Sequence, residues 1–99
     1  MAGKRFSPTR HFSKDSISKV PKAKPVVYKL KDSEGNNIYT GSAKRGRVPE
    51  RLREHLPGGP DPIKDASVFQ VKQSGSIREA QAEERRMIEK EKPKYNKQP

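Results

Sequence analysis

Glu84 is the residue that least fits its own neighbourhood in this sequence. A helical pattern over Ile77–Glu91 puts Ile77, Ala80, Glu84, Met87 and Ile88 on one inner stripe, at spacings of three and four. A carboxylate there must be paired, hydrogen-bonded or metal-bound to escape a desolvation cost of several kcal/mol. Otherwise the stripe is rotated and Glu84 reaches water at its edge; periodicity leaves both readings open. Arg51 and His55 stand four apart, which stacks a guanidinium and an imidazole along one side of another helix. Other chemistries are poorly served. The two histidines, His11 and His55, lack zinc spacing, and the chain has no cysteine for a thiolate or a disulfide. Gly58-Gly59 lies between prolines and is no phosphate-binding loop. No Ser/His/Asp arrangement suggests itself.

The charge balance points to an anionic polymer. Lys and Arg number 23 against 12 Asp and Glu, a net +11 on 99 residues. Such a surface gains affinity for phosphate backbones by releasing their counterions. A chain this short, with 28% apolar residues, buries a modest core and no deep internal pocket. No apolar run approaches the roughly 20 residues that cross a bilayer. Residues 1–25 hold seven basic residues against Asp15 alone. They lack an apolar signal region and a sustained period, so they read as a basic, flexible arm ahead of a domain over 26–99. With no secretory signal, the expected location is cytoplasmic.

The elements that must position these groups begin at Val26. Val26 to Leu30 is β-branched and aromatic, with Val26, Tyr28 and Leu30 on one face. Asp32 to Asn37 is turn chemistry, and Ile38-Tyr39-Thr40 returns as a second strand. An even loop puts Tyr28 and Tyr39 on one face of this hairpin, whereas an odd, bulged loop separates them. Gly41 to Arg47 reads as a small basic connection. Pro49 suits a first helical turn, Val48, Leu52 and Leu56 form its buried stripe, and Pro57-Gly58-Gly59-Pro60 stops it. Ala66 to Lys72 reads as a third strand. The last helix, Ile77–Glu91, opens with Ser76 as cap and Glu79 three residues on.

Taken in order, Tyr28, Tyr39-Thr40-Gly41, Arg51, His55, Glu84 and the closing Pro93-Lys94-Tyr95-Asn96 resemble the GIY-YIG nuclease family over residues 26–96. Val26 stands where the first signature motif has glycine, and Thr40 where the second has isoleucine. The Lys44–Val48 loop is about two residues longer than the family pattern; Arg51, not Arg53, matches because His55 follows it by four. The resemblance implies an α+β fold, a small three-stranded antiparallel sheet flanked by helices in the order β-β-α-β-α.

It also implies a metal-dependent endonuclease acting on DNA with low intrinsic specificity. Tyr28 and Tyr39 would activate or orient the attacking water. A free tyrosine has a pKa near 10, so a base role needs a cation nearby, Lys44 or the metal. Arg51 would clamp the scissile phosphate, and His55 would bond a tyrosine or the phosphate and move a proton. Glu84 would hold one divalent ion, Mg²⁺ or Mn²⁺. Gly41 and Asn96 would support the site. Lys44, Arg45, Arg47 and the arm would line a groove for nucleic acid, any further specificity coming from a protein partner. The competing class is a non-catalytic nucleic-acid-binding module of the same fold. A basic protein of a ribonucleoprotein is a third.

Overall fold

The computed structural model describes residues 5–96. Its elements are β1 (Arg10–His11), α1 (Lys14–Ile17), β2 (Val26–Lys31), β3 (Asn37–Ala43), α2 (Val48–Glu54), β4 (Val68–Gln73) and α3 (Ile77–Glu91). The strands form one antiparallel sheet in the order β1-β4-β2-β3. The sheet therefore has four strands rather than the expected three, and a short extra helix precedes it.

Both additions come from the stretch expected to be a flexible arm. Arg10 pairs with Phe69 and His11 with Val68, while Ser7 and Phe12 add backbone bonds to Val71 and Ser67. Phe12 packs edge-on against Phe69 at 5.9 Å, and Ile17 and Val20 are buried in the main core. Phe12, Ile17 and Val20 are too few and too irregularly spaced to announce an element, yet each finds an apolar partner. Residues 5–25 are thus part of the folded unit; the first four residues of the expected arm lie outside the described residues.

Alternation divides the sheet into two unlike faces. One carries Val26, Tyr28, Leu30, Phe69 and Val71, and packs with Val48, Leu52 and Leu56 of the α2 segment in the apolar core. Val26 is fully buried there, where a glycine would leave a void. The other face carries Val27, Lys29, Thr40, Ser42, Gln70 and Lys72, and α3 lies across its β3 and β2 strands. Ala80 is the fully buried residue of α3, and polar bonds hold much of the rest. Asn37 Nδ2 donates to Glu91 Oε1 at 2.8 Å, and Lys72 pairs with Glu83 at 3.0 Å.

The hairpin settles the tyrosine question left open by its loop. Leu30 faces Tyr39 and Tyr28 faces Gly41, so both tyrosines share the α2 face. The register does shift, but between Leu30 and Lys31, on the turn side of that pair. The bulge leaves the tyrosines together. Gly41 to Ala43, expected as connection, continues β3: Ala43 faces Val26 and Ser42 faces Val27. Gly, Ser and Ala have little strand preference, and pairing with β2 overrides it. At the start of α3, Ser76 Oγ accepts from the Glu79 N–H at 3.1 Å. Glu79 returns the bond to the Gly75 N–H rather than to Ser76.

Candidate active site

Three rings meet where β2, β3 and the end of α2 come together. His55 is fully buried at the α2 C-cap. Its Nδ1 lies 2.9 Å from the Asp61 carbonyl oxygen and its Nε2 2.9 Å from the Tyr28 hydroxyl. A carbonyl only accepts, so Nδ1 carries the proton and Nε2 accepts from the Tyr28 O–H. Tyr39 packs against His55 in a tilted arrangement, with centroids 4.7 Å apart, and stands 6.3 Å from Tyr28. Two strands and a loop thus fix one imidazole tautomer.

Gly41 is what lets Tyr28 lie flat across β3. A Cβ at position 41 would stand 2.5 Å from the Tyr28 hydroxyl oxygen and 2.6 Å from Cζ, closer than side chains pack. The glycine is therefore a space requirement of the ring opposite it.

The ionisation of this cluster departs from the expected base role. Burial, with the charge of Tyr39 added, raises the Tyr28 pKa far above its ordinary value, and Arg51 only partly opposes this. Burial likewise raises Tyr39 against the lowering effect of Arg51. Both phenols are protonated at neutral pH, and Tyr28 donates to His55. Burial lowers the His55 pKa, opposed by Asp61 and reinforced by Arg51, so its imidazole is neutral. The cation that acts on both tyrosines is Arg51; Lys44, exposed on its loop, is not among the charges that shift them.

Arg51 is half-buried, with Nη1 donating to Glu54 Oε1 at 2.7 Å. Burial disfavours its charge, but Tyr28, Glu54 and Tyr39 more than offset this and raise its pKa. Arg53 points to solvent, so the structure favours Arg51 for the cluster.

Glu84 reaches β3 from the opposite face. Its Oε1 accepts from Ser42 Oγ at 2.7 Å, and it is half-buried. The structure combines the two readings of the α3 stripe: the carboxylate is hydrogen-bonded and also stands at a partly exposed edge. Oε2 has no hydrogen-bond partner among the described residues. Ser42 directly follows Gly41, so the carboxylate and the tyrosine cluster flank the same stretch of an edge strand. The Glu84 charge acts on both Tyr28 and Tyr39. A cleft lined by Ser42, Lys44, Arg47, Arg51 and Gln81 joins the two sides.

Asn96 closes the site from behind. Its Oδ1 accepts from the Thr40 N–H at 2.7 Å, and its Nδ2 donates to the Thr40 carbonyl at 2.9 Å. The side chain thereby pairs with β3 as a further strand would. Tyr95 N–H adds a bond to the Ile38 carbonyl at 2.9 Å. Thr40, where the family pattern has isoleucine, is fully buried, and its hydroxyl accepts from Asn37.

The basic residues 44, 45 and 47 stand exposed at one end of the cleft, with Arg47 paired to Glu50. The Gly46 N–H donates to the Lys22 carbonyl, so residues near Lys22 lie beside this loop. Strand β1 lies at the sheet edge opposite β3, so the Arg10–His11 part of the expected arm is far from Glu84 in strand order.

Three contributors escaped the sequence reading. Glu54 stands three residues after Arg51, a helical spacing that could have disclosed it. Ser42 alternates with Gly41, which assigns it to the α3 face once β3 is extended. The Asp61 carbonyl has no sequence signal, because a loop return brings it to His55. Among the described residues no group of three or more His, Asp or Glu side chains converges on a cation position. The metal site expected at Glu84 needs no such cluster, because Mg²⁺ keeps several waters and takes as few as one or two protein carboxylates. The partly exposed Glu84, with a free oxygen beside a serine hydroxyl, is the oxygen-donor chemistry such an ion takes.

No protein-family model matches the chain, and no curated protein matches it by sequence. Solved structures do. The chain is similar to the GIY-YIG N-terminal endonuclease domain of UvrC from Thermotoga maritima bound to its catalytic divalent cation, magnesium. Identity is 33% and the TM-score 0.70, over 84% of this chain and 93% of that one. An asparagine-to-alanine variant of that domain, bound to its catalytic divalent cation, matches at 30% identity and a TM-score of 0.69, over 85% and 93%. A tyrosine-to-phenylalanine variant, also cation-bound, matches at 32% and 0.68 over the same shares. Those shares of this chain exceed what residues 26–99 alone supply, so the similarity extends into the first 25 residues. No helix among the described residues is long and apolar enough to cross a membrane.

Proposed function

The chain belongs to the GIY-YIG endonuclease family, and from that membership we propose that it hydrolyses phosphodiester bonds of DNA with one divalent cation, Mg²⁺ or Mn²⁺. The observation that carries the proposal is the Tyr28–His55–Tyr39 cluster under Arg51, with Glu84 bonded to Ser42 across the same edge strand. Glu84 and water would hold the cation, which supplies positive charge to the phosphate under attack when bound.

The chain's own groups divide the remaining work. Arg51 has one guanidinium nitrogen held by Glu54 and presents the others to the phosphate, so its fork arrives oriented. Tyr39, half-exposed and protonated, orients the attacking water by hydrogen bonding. Tyr28 is sealed from solvent and acts through His55, fixing the ring against which Tyr39 packs. Catalysis here rests on positioning and electrostatics rather than on a pre-ionised tyrosine. Lys44, Arg45 and Arg47 contact phosphates rather than base edges, which favours low sequence specificity unless a protein partner adds it.

Nicking of supercoiled plasmid at low salt, with Mg²⁺, with Mn²⁺ and with EDTA, tests this. Wild type should nick only with metal, and Glu84→Ala and Arg51→Ala should each lose at least about a hundred-fold in rate. Salt-sensitive plasmid binding without nicking in all three proteins overturns the proposal in favour of a binding module. Nicking that survives Glu84→Ala removes that residue from the site.

A further inference from the structure

Three concavities run end to end along one flank of α3. The cleft beside Arg51 shares Gln81 with a second, which holds Glu84. The second shares Arg85 and Ile88 with a third of about 680 Å³, which continues past Lys92, Pro93 and Lys94. Together they make one groove with Glu84 near its middle. Gln81, Arg85 and Lys92 recur at four and seven residues, so they line one side of the helix. From Gln81 to Lys92 α3 rises about 16 Å, roughly the axial length of five nucleotides in one strand of B-DNA.

The two flanks of α3 differ in how their charges are used. On the β4 side, Glu83 neutralises Lys72 at 3.0 Å and Arg86 at 3.5 Å. On the groove side, Arg85 and Lys92 have no acidic partner within ion-pair distance among the described residues, and Lys94 reaches Asp65 only at 4.0 Å. Glu89 is the one acidic side chain lining the third concavity. Lys92 adds an independent observation. It ends the helix in the left-handed region, with φ 48°, a position where glycine is the lower-energy residue. A cation stands there at a conformational cost.

We propose that this flank holds the DNA backbone on one side of the bond being cut, Arg85, Lys92 and Lys94 taking its phosphates. Lys44, Arg45 and Arg47 hold the backbone on the other side of Glu84. The inference rests on the nuclease reading, but binding can test it without turnover.

The measurement is the affinity of the full chain for a fluorescent 20-base-pair duplex in EDTA, across a salt series. A groove triple variant, Arg85→Gln, Lys92→Gln and Lys94→Gln, is compared with a control triple, Lys64→Gln, Arg86→Gln and Lys90→Gln, which removes the same charge elsewhere. The groove triple should flatten the slope of log affinity against log salt by about 2 to 3, and the control by less than about 1. Circular dichroism confirms that both fold. With Mg²⁺, the groove triple should raise KM for nicking at least about ten-fold while changing kcat little. Equal slopes in the two triples, or no change in either, overturn the groove assignment alone. A wild type that binds no duplex at low salt overturns the nucleic-acid reading with it.

Discussion

His55 is the most constrained titratable side chain of the site, and its confinement has a thermodynamic sign. Burial holds its folded pKa below the unfolded value of about 6.5. In the acid window below 6.5 the unfolded chain therefore binds the extra proton first, so stability is complete above that pH and lost as pH falls. Protonation also removes the Nε2 lone pair that accepts from Tyr28. Denaturation midpoints in urea should fall between pH 7.5 and 5.5 in wild type, and His55→Gln should flatten that dependence. A midpoint that holds or rises toward pH 5.5 contradicts the neutral tautomer. The types and order of Tyr28, Tyr39, Arg51, His55 and Glu84 were legible in the sequence. Their ionisation was not, because it follows from burial by residues distant in the chain.

At the scale of elements, the 93–96 segment holds the outer edge of β3 through Asn96 on Thr40 and the Tyr95 N–H on the Ile38 carbonyl. Asn96→Ala removes both side-chain bonds to Thr40 and should cost about 1–3 kcal/mol in urea denaturation. The Thr40 amide should exchange with solvent faster, and Asn96→Asp, which keeps the accepting oxygen, should restore part of its protection. Unchanged exchange would mean that the Tyr95 bond alone holds the segment. Strong periodicity made α3 readable to its end residues, and the Val48–Leu56 stripe was equally plain. The end of β3 was not, since Gly41-Ser42-Ala43 takes its conformation from pairing with β2.

The whole molecule is larger than the domain its composition marks out. A chain lacking residues 1–12 loses Phe12 from Phe69 and the paired bonds of Ser7 to Val71, and should be less stable by about 2 kcal/mol or more. A thermal midpoint equal to wild type would restore the dangling-arm picture. The composition of residues 1–25 is polar enough to read as unstructured, and only the sheet edge they cover explains why they fold. That cover has a consequence for life on a polyanion. Proteins gathered on DNA meet one another at high local concentration, where open strand edges invite intermolecular pairing and fibrous aggregates. Here a two-residue strand beside Pro8 blunts one margin of the sheet, and the Asn96 amide occupies the other. Short at one margin and bonded at Thr40 on the other, this sheet offers a second copy little continuous edge to pair with.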